Sequence, residues 1–358
     1  MKKTLSLLLV LCLCIGVLAV PSFAEGEGET VAQMIERYRA LYDVDADGNL
    51  TVADATQLLR SVAGIDPSAG DHDLDNSGTT DLADVRLLLL ASATGNAVIP
   101  ESALLDAFNA KLNGVKQNVS QVGPGFTRTA TSQCSSILVT ASGYPLLFNR
   151  LNVTNMEMKE YVKRMEKYMT GALAGDEGDA QYAQLVEETN KAYEKQVTVD
   201  PVEPRSAWHY TKFPVNNFGW SSHLTTDDIA GITASVSDGK VILTVTMGTT
   251  SYAQGKYPTE RSEIVKLPYG KAFNLPELND SSVTLKSVKF YNGKIVVVLD
   301  EATDALITAD YKFNYDFTTL KVEEIESRTV TMTVASKVAQ TENYVFGDPT
   351  PDAPDEEG

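Results

Sequence analysis

Apolar and polar positions along this chain fall into three patterns, and each predicts a different kind of element. The first is a largely apolar run, Leu5–Val20, that follows Lys2 and Lys3 and leads to Ser22-Phe23-Ala24 and then Glu25-Gly26-Glu27. A short basic start, an apolar stretch and small residues around a cut site make a secretory leader, predicted over residues 1–24 with cleavage after Ala24. The second pattern has helical spacing. ETVAQMIERYRALY places Val31, Ile35, Tyr38 and Leu41 on one stripe, and ESALLDAFNAKLNGVKQNV repeats Leu104, Leu105, Phe108 and Leu112. MEMKEYVKRMEKYM gathers Met158, Tyr161, Val162, Met165, Tyr168 and Met169 on one face, and a further helix is predicted through DAQYAQLVEETNKAYEKQ.

The third pattern has a period of two and dominates beyond residue 203. ITASVSDGKVILTVTM reads as two strands joined at Asp238-Gly239, and SVKFYNGKIVVVLD as two more joined at Asn292-Gly293, both dipeptides that favour tight hairpins. LITADYKFNYDF and RTVTMTVASKVAQTENYVF continue the series. Helices first and strands afterwards, with few helices between the strands, predict an α+β fold with an antiparallel sheet. The last residues, 347–358, are acidic and rich in proline, a composition that cannot bury a core.

Between the first helix and residue 100 lies an internal repeat. DVDADGNLTVADATQLLRSVAG begins at Asp43 and DLDNSGTTDLADVRLLLLASATG at Asp73, thirty residues later. Each copy opens with oxygen-bearing residues around a glycine and continues into an apolar helix carrying Leu58, Leu59 and Val62 or Leu87–Leu90. Calcium is a hard cation taking six to eight oxygen ligands, and a twelve-residue loop can supply them from places 1, 3, 5, 7, 9 and 12, with a sharp turn at place 6. In the first copy those places are Asp43, Asp45, Asp47, the Asn49 carbonyl, Thr51 and Asp54, with Gly48 at the turn. In the second they are Asp73, Asp75, Ser77, the Thr79 carbonyl, Asp81 and Asp84, with Gly78 at the turn. Two calcium ions are therefore expected. A unit of about 70 residues buries too little apolar surface to be secure alone, so metal binding should be coupled to folding.

Both loops end on Asp, and GIDPSAGDH before Asp73 is too rich in turn residues for an entering helix. In loop spacing, glycine, terminal Asp and following leucines, residues 40–95 resemble the type I dockerin, a duplicated loop-and-helix module that plugs proteins into cohesin domains of a scaffold. The resemblance implies a cohesin-like partner on a cell-surface or cellulosome-type scaffold, and a cargo domain attached to the module. Where dockerins often carry hydroxyl contact residues, at loop places 10 and 11, this chain has Val52-Ala53 and Leu82-Ala83. Ser77 replaces an acid or amide, which predicts weaker calcium binding in the second loop.

The chain of 358 residues is long for one domain. Its predicted organisation is a leader over 1–24, a dockerin-like module over 25–98 with repeats at 43–64 and 73–95, an α+β domain over 99–346 and an acidic tail over 347–358. Net charge is −18, becoming −20 once Lys2 and Lys3 leave with the leader. Such a surface repels phosphate backbones, which argues against nucleic acid and anionic membranes and suits a secreted or cell-surface protein that takes up divalent cations. Cys134 is the one cysteine outside the leader and sits in the strand-like run TSQCSSILV, a setting for a structural thiol.

For residues 99–346 three roles fit the residues. Dockerin-bearing proteins are commonly polysaccharide hydrolases, and such an enzyme needs two carboxylates about 5–10 Å apart beside an aromatic platform. Trp208 and Trp220, with His209, His223, Asp227 and Asp228, form the polar and aromatic concentration available for it. No G-x-S-x-G, H-E-x-x-H or phosphate loop occurs, and a non-catalytic domain is the better expectation. A carrier of an apolar ligand is the second role: the layout of a long sheet over amphipathic helices is similar to the half-barrel of periplasmic lipoprotein carriers. A structural or adhesive cargo is the third.

Overall fold

The computed structural model describes residues 29–66, 72–75, 77–114, 125–142, 153–172, 176–202, 222, 224–253, 283–325 and 328–347. The leader, the tail beyond Gly347, and Trp208, His209, Trp220 and His223 lie outside them. Helical spacing in the sequence becomes helix at each predicted place: α1 (Val31–Tyr42), α2 (Val52–Val62), α3 (Leu82–Thr94), α4 (Glu101–Gly114), α5 (Met158–Ala172) and α6 (Asp176–Tyr193). The strands are β1 (Phe126–Ser142), β2 (Val153–Glu157), β3 (Gln196–Val202), β4 (Ile229–Ser237), β5 (Lys240–Met247), β6 (Thr250–Ala253), β7 (Val283–Asp300), β8 (Leu306–Ile325) and β9 (Arg328–Phe346). They form one antiparallel sheet in the order β2-β1-β9-β8-β7-β5-β4, with β3 beside β2 on the edge of β1 and β6 beside β5 on the edge of β7. The fold is α+β.

Alternation along the strands sends one set of side chains to a dry face. On β8, Tyr311, Phe313, Tyr315 and Phe317 are buried, and successive rings from Phe313 to Phe317 stack at 6.0 Å. Asp310, Lys312, Asn314 and Asp316 take the opposite parity, facing away from that core. The dry face meets Leu104, Leu105, Phe108 and Leu112 of α4 and Val31, Ala32 and Met34 of α1 in the main core. A second core joins Tyr42 to Ala55, Leu58, Leu74, Val85, Leu88 and Ala91. In a third, Tyr161, Val162 and Met165 of α5 pack on Val139, Ala141 and Val153.

Two expectations are corrected. Asn292-Gly293 does not close a hairpin: β7 runs unbroken through it. Tyr291 pairs with Asn314 and Lys294 with Lys312, so two residues of β7 oppose Phe313 alone, and Asn292 takes φ +54°. Positive φ at an Asn-Gly step serves a bulge as well as a turn, and pairing of both flanks with the same strand decides for the bulge. At Asp238-Gly239, by contrast, φ is +54° and +73°, and Ser237 pairs with Lys240 across the expected two-residue turn. Nor do the helices all precede the sheet: β1 and β2 lie between α4 and α5 in sequence, and β1 pairs along its length with the last strand.

Candidate metal centre

The loops are built outward from two helix starts. Thr51 caps α2 and Asp81 caps α3, with Asp54 and Asp84 completing the capping boxes three residues on. Asp54 and Asp84 are almost fully buried, which a carboxylate tolerates only when donors surround it. Asp54 Oδ1 accepts the N–H groups of Val44 (2.8 Å) and Asp45 (3.2 Å), and Oδ2 that of Thr51 (2.7 Å). Asp84 accepts those of Leu74 (2.6 Å), Asp75 (3.3 Å) and Asp81 (2.7 Å) in the same way. These two carboxylates clasp the start of each loop to the start of its helix.

The first place of each loop organises the turn. Asp43 accepts the N–H of Asp47 at 3.0 Å and of Gly48 at 2.8 Å, and Asp73 accepts those of Ser77 at 2.9 Å and Gly78 at 2.7 Å. Gly48 and Gly78 hold φ at +85° and +88°, where a side chain would strain the backbone. Asp45 and Asp75 accept from the same amides of Asp47 and Ser77, at 3.2 and 2.9 Å. Thr51 and Asp81 side chains accept from Ala53 and Ala83 at 3.1 and 2.7 Å. Every bond of the first loop in this set thus recurs thirty residues later.

Carboxylate oxygens converge to within 4.8 Å of one another in both loops: Asp43, Asp45 and Asp47 in the first, Asp73, Asp75 and Asp84 in the second. Asp54 is not in the first trio, and Ser77 brings a hydroxyl where Asp47 brings a carboxylate. That hydroxyl bonds the Thr79 carbonyl at 3.1 Å, while the Asn49 amide nitrogens bond Asp47. Partial burial, followed by the charges of Asp54, Asp47 and Asp43, raises the Asp45 carboxyl above its ordinary value. Hydrogen bonds from Ser77 hold Asp75 below its own. The donor set is all oxygen and mostly anionic, which fits a hard divalent cation of the calcium class and does not suit a thiophilic metal.

Tyr42 is absent from the stripe expected of α1. It is fully buried and continues the stripe Val31, Ile35, Tyr38 by one more turn, a signal present in the spacing, whereas Leu41 is 40% exposed. Its hydroxyl donates to the Val98 carbonyl at 2.8 Å, and His72 Nδ1 meets the Leu41 carbonyl at 2.9 Å. Around the loops the apolar surface is unevenly divided: Leu58 and Leu88 are buried, while their neighbours Leu59 (44%) and Leu89 (48%), with Val52 (60%) and Leu82 (64%), are exposed at equivalent places of the two copies.

Elsewhere the candidate sites resolve into structure. Asp228 accepts from the backbone and hydroxyl of Thr225 at 3.0 Å, closing a single 3₁₀ turn, and Asp227 is exposed beside it. Tyr161, Val162 and Met165 are core, and the cleft between α5 and α6, lined by Lys159, Val162, Tyr182 and Val186, is about 220 Å³. That is below the roughly 300–1,000 Å³ of small-molecule sites. Cys134 is partly buried at a bulge in β1, its Sγ 3.4 Å from the Ser136 carbonyl. Beneath the sheet Arg128 bonds Asp200 at 2.7 Å and Glu342 at 3.1 Å, while Glu342 also takes the Tyr344 hydroxyl and Gln340. Burial works against the Arg128 charge, but the hydrogen bond and charge of Glu342 outweigh it and leave its pKa raised. This network ties β1, β3 and β9 together. Among the described residues no helix is long and apolar enough to cross a membrane. Comparison of the chain with protein-family models, with curated proteins and with solved structures returns no match.

Proposed function

We propose that this is a secreted calcium-binding protein whose residues 25–98 act as a dockerin-type module, holding two ions and attaching the chain to a cohesin-like partner on a cell-surface or cellulosome-type scaffold. Residues 99–346 are its cargo. The observation that carries the reading is the recurrence, at a thirty-residue offset, of one hydrogen-bond pattern that folds acidic side chains inward around a glycine turn. The ligands would be Asp43, Asp45, Asp47, the Asn49 carbonyl, Thr51 and Asp54 in the first loop, and Asp73, Asp75, Ser77, the Thr79 carbonyl, Asp81 and Asp84 in the second. When bound, the ion would neutralise the converging carboxylates and fix the loops. Paired exposed apolar residues, Val52 with Leu59 and Leu82 with Leu89, supply a docking face more apolar than the hydroxyl pairs of dockerins.

Calorimetric titration of calcium into the chelator-treated chain tests the first half. Two binding events are expected, the second loop weaker, with a gain in thermal stability; no heat and no stabilisation at millimolar calcium would sink the metal sites. A panel of purified cohesin domains tests the second half. Binding that needs calcium and is lost in Leu59→Asp/Leu89→Asp supports docking, and failure to bind any member removes the partner while leaving the metal sites standing.

A further inference from the structure

We infer that α1 couples the loop-and-helix pair to the sheet, so that occupancy of the loops is transmitted to the body of the protein. One helix closes two cores. Its first turns place Val31, Ala32 and Met34 in the main core against α4 and the sheet, and its last residue, Tyr42, lies at 0% exposure in the second core against Leu58 and Leu88.

Both ends of α1 are also tied by polar contacts. At the N-terminus the Val31 N–H donates to Asp304 Oδ1 at 3.2 Å, and the same carboxylate, in the turn between β7 and β8, pairs with Lys111 of α4. At the C-terminus the Asp43 N–H bonds the Arg39 carbonyl, while the Asp43 carboxylate organises the first loop. Tyr42 bonds Val98, and the segment leading into α4 straddles the same boundary, with Ala97 and Val98 packed on the second core and Ile99 on the main one. Two chain segments therefore cross between the cores, and neither is a free linker. A rigid helix that caps one core and begins the ligand set of a loop gives the two regions a common local unfolding equilibrium.

Hydrogen exchange on the full chain tests this, in three arms. The first needs no metal: Leu58→Ala opens the second core, and exchange is expected to quicken at least about tenfold not only in residues 43–62 but in α1, α4 and the 301–305 turn. Acceleration confined to residues 43–98 overturns the coupling. The second arm runs the other way. Asp304→Asn keeps the side-chain shape and removes the charge that binds α1 and Lys111, and α2 amides should exchange about threefold faster or more, since coupling is reciprocal; unchanged α2 exchange counts against it. The third arm adds calcium chloride to the native chain and rests on the proposed metal sites. Slower exchange in the loops, α4 and the 301–305 turn together supports the coupling, and slowing in the loops alone overturns it. Slowing nowhere overturns transmission of occupancy together with the metal reading, and the first two arms then decide whether the cores are coupled.

Discussion

Asp54 and Asp45 belong to one loop, yet their surroundings give them different work. The Asp54 carboxylate is buried and satisfies three backbone N–H groups, whereas Asp45 lies in the converging trio and accepts one N–H. Asp54→Ala should therefore destabilise the protein by about 1–3 kcal/mol even in chelator, because three partly buried donors lose their acceptor. Asp45→Asn should leave chelator-state stability within about 0.5 kcal/mol and instead weaken calcium binding by at least roughly tenfold. Urea unfolding in EDTA and calorimetry with calcium separate the two, and equal loss of apo-state stability in both variants would remove the distinction. The spacing of the loop names both residues as ligands; it is burial that reveals the clasp.

Asn292 shows how one local signal serves two elements. At φ +54° it inserts an extra residue into β7, and buried residues Phe290 and Ile295 remain on the same face to either side. Asn292→Val should cost about 1–2 kcal/mol, because a β-branched residue resists this backbone region, and Asn292→Gly should be nearly neutral. Matched urea midpoints for Val and Gly would contradict the assigned backbone. Helices are easier to read: α4 buries Leu104, Leu105, Phe108 and Leu112 and α5 buries Tyr161, Val162 and Met165 at the expected spacing, whereas α1 buries Val31, Ala32, Met34 and Tyr42 and leaves Leu41 exposed. Within the stripe, though, adjacent leucines such as Leu58 and Leu59 could be sorted into core and surface only by where α3 packs.

Across the molecule, buried and partly buried phenols set an alkaline limit. Tyr42 is pushed up to about 12, first by burial and then by the charge of Asp84, and Tyr193 to about 12 by burial and its hydrogen bond to Glu157. Tyr311 and Tyr344 are raised too, chiefly by burial. The unfolded chain ionises these groups near pH ~10, before the folded one, so their contribution is complete below that pH and is lost as pH rises from about 10 through 12. Urea midpoints should be flat from pH 7 to 9 and fall by pH 11; a midpoint unchanged at pH 11 would show that these hydroxyls are not held neutral by the fold.

The loop-and-helix pattern, helical stripes and the Asp238-Gly239 hairpin are readable in the chain because each depends on residues within about a dozen positions of one another, and the thirty-residue repeat because it is one such local pattern written twice. Tertiary structure alone decided the rest. The pairing of β1 with β9, from Phe126 opposite Phe346 to Ser142 opposite Thr331, joins segments with no shared local signal. The Arg128–Glu342 contact follows from that pairing, and so does the choice of bulge over turn at Asn292 from the partner β8. The role of α1 across two cores has the same origin. A helix stripe tells which side is buried, and only the packed chain tells against what.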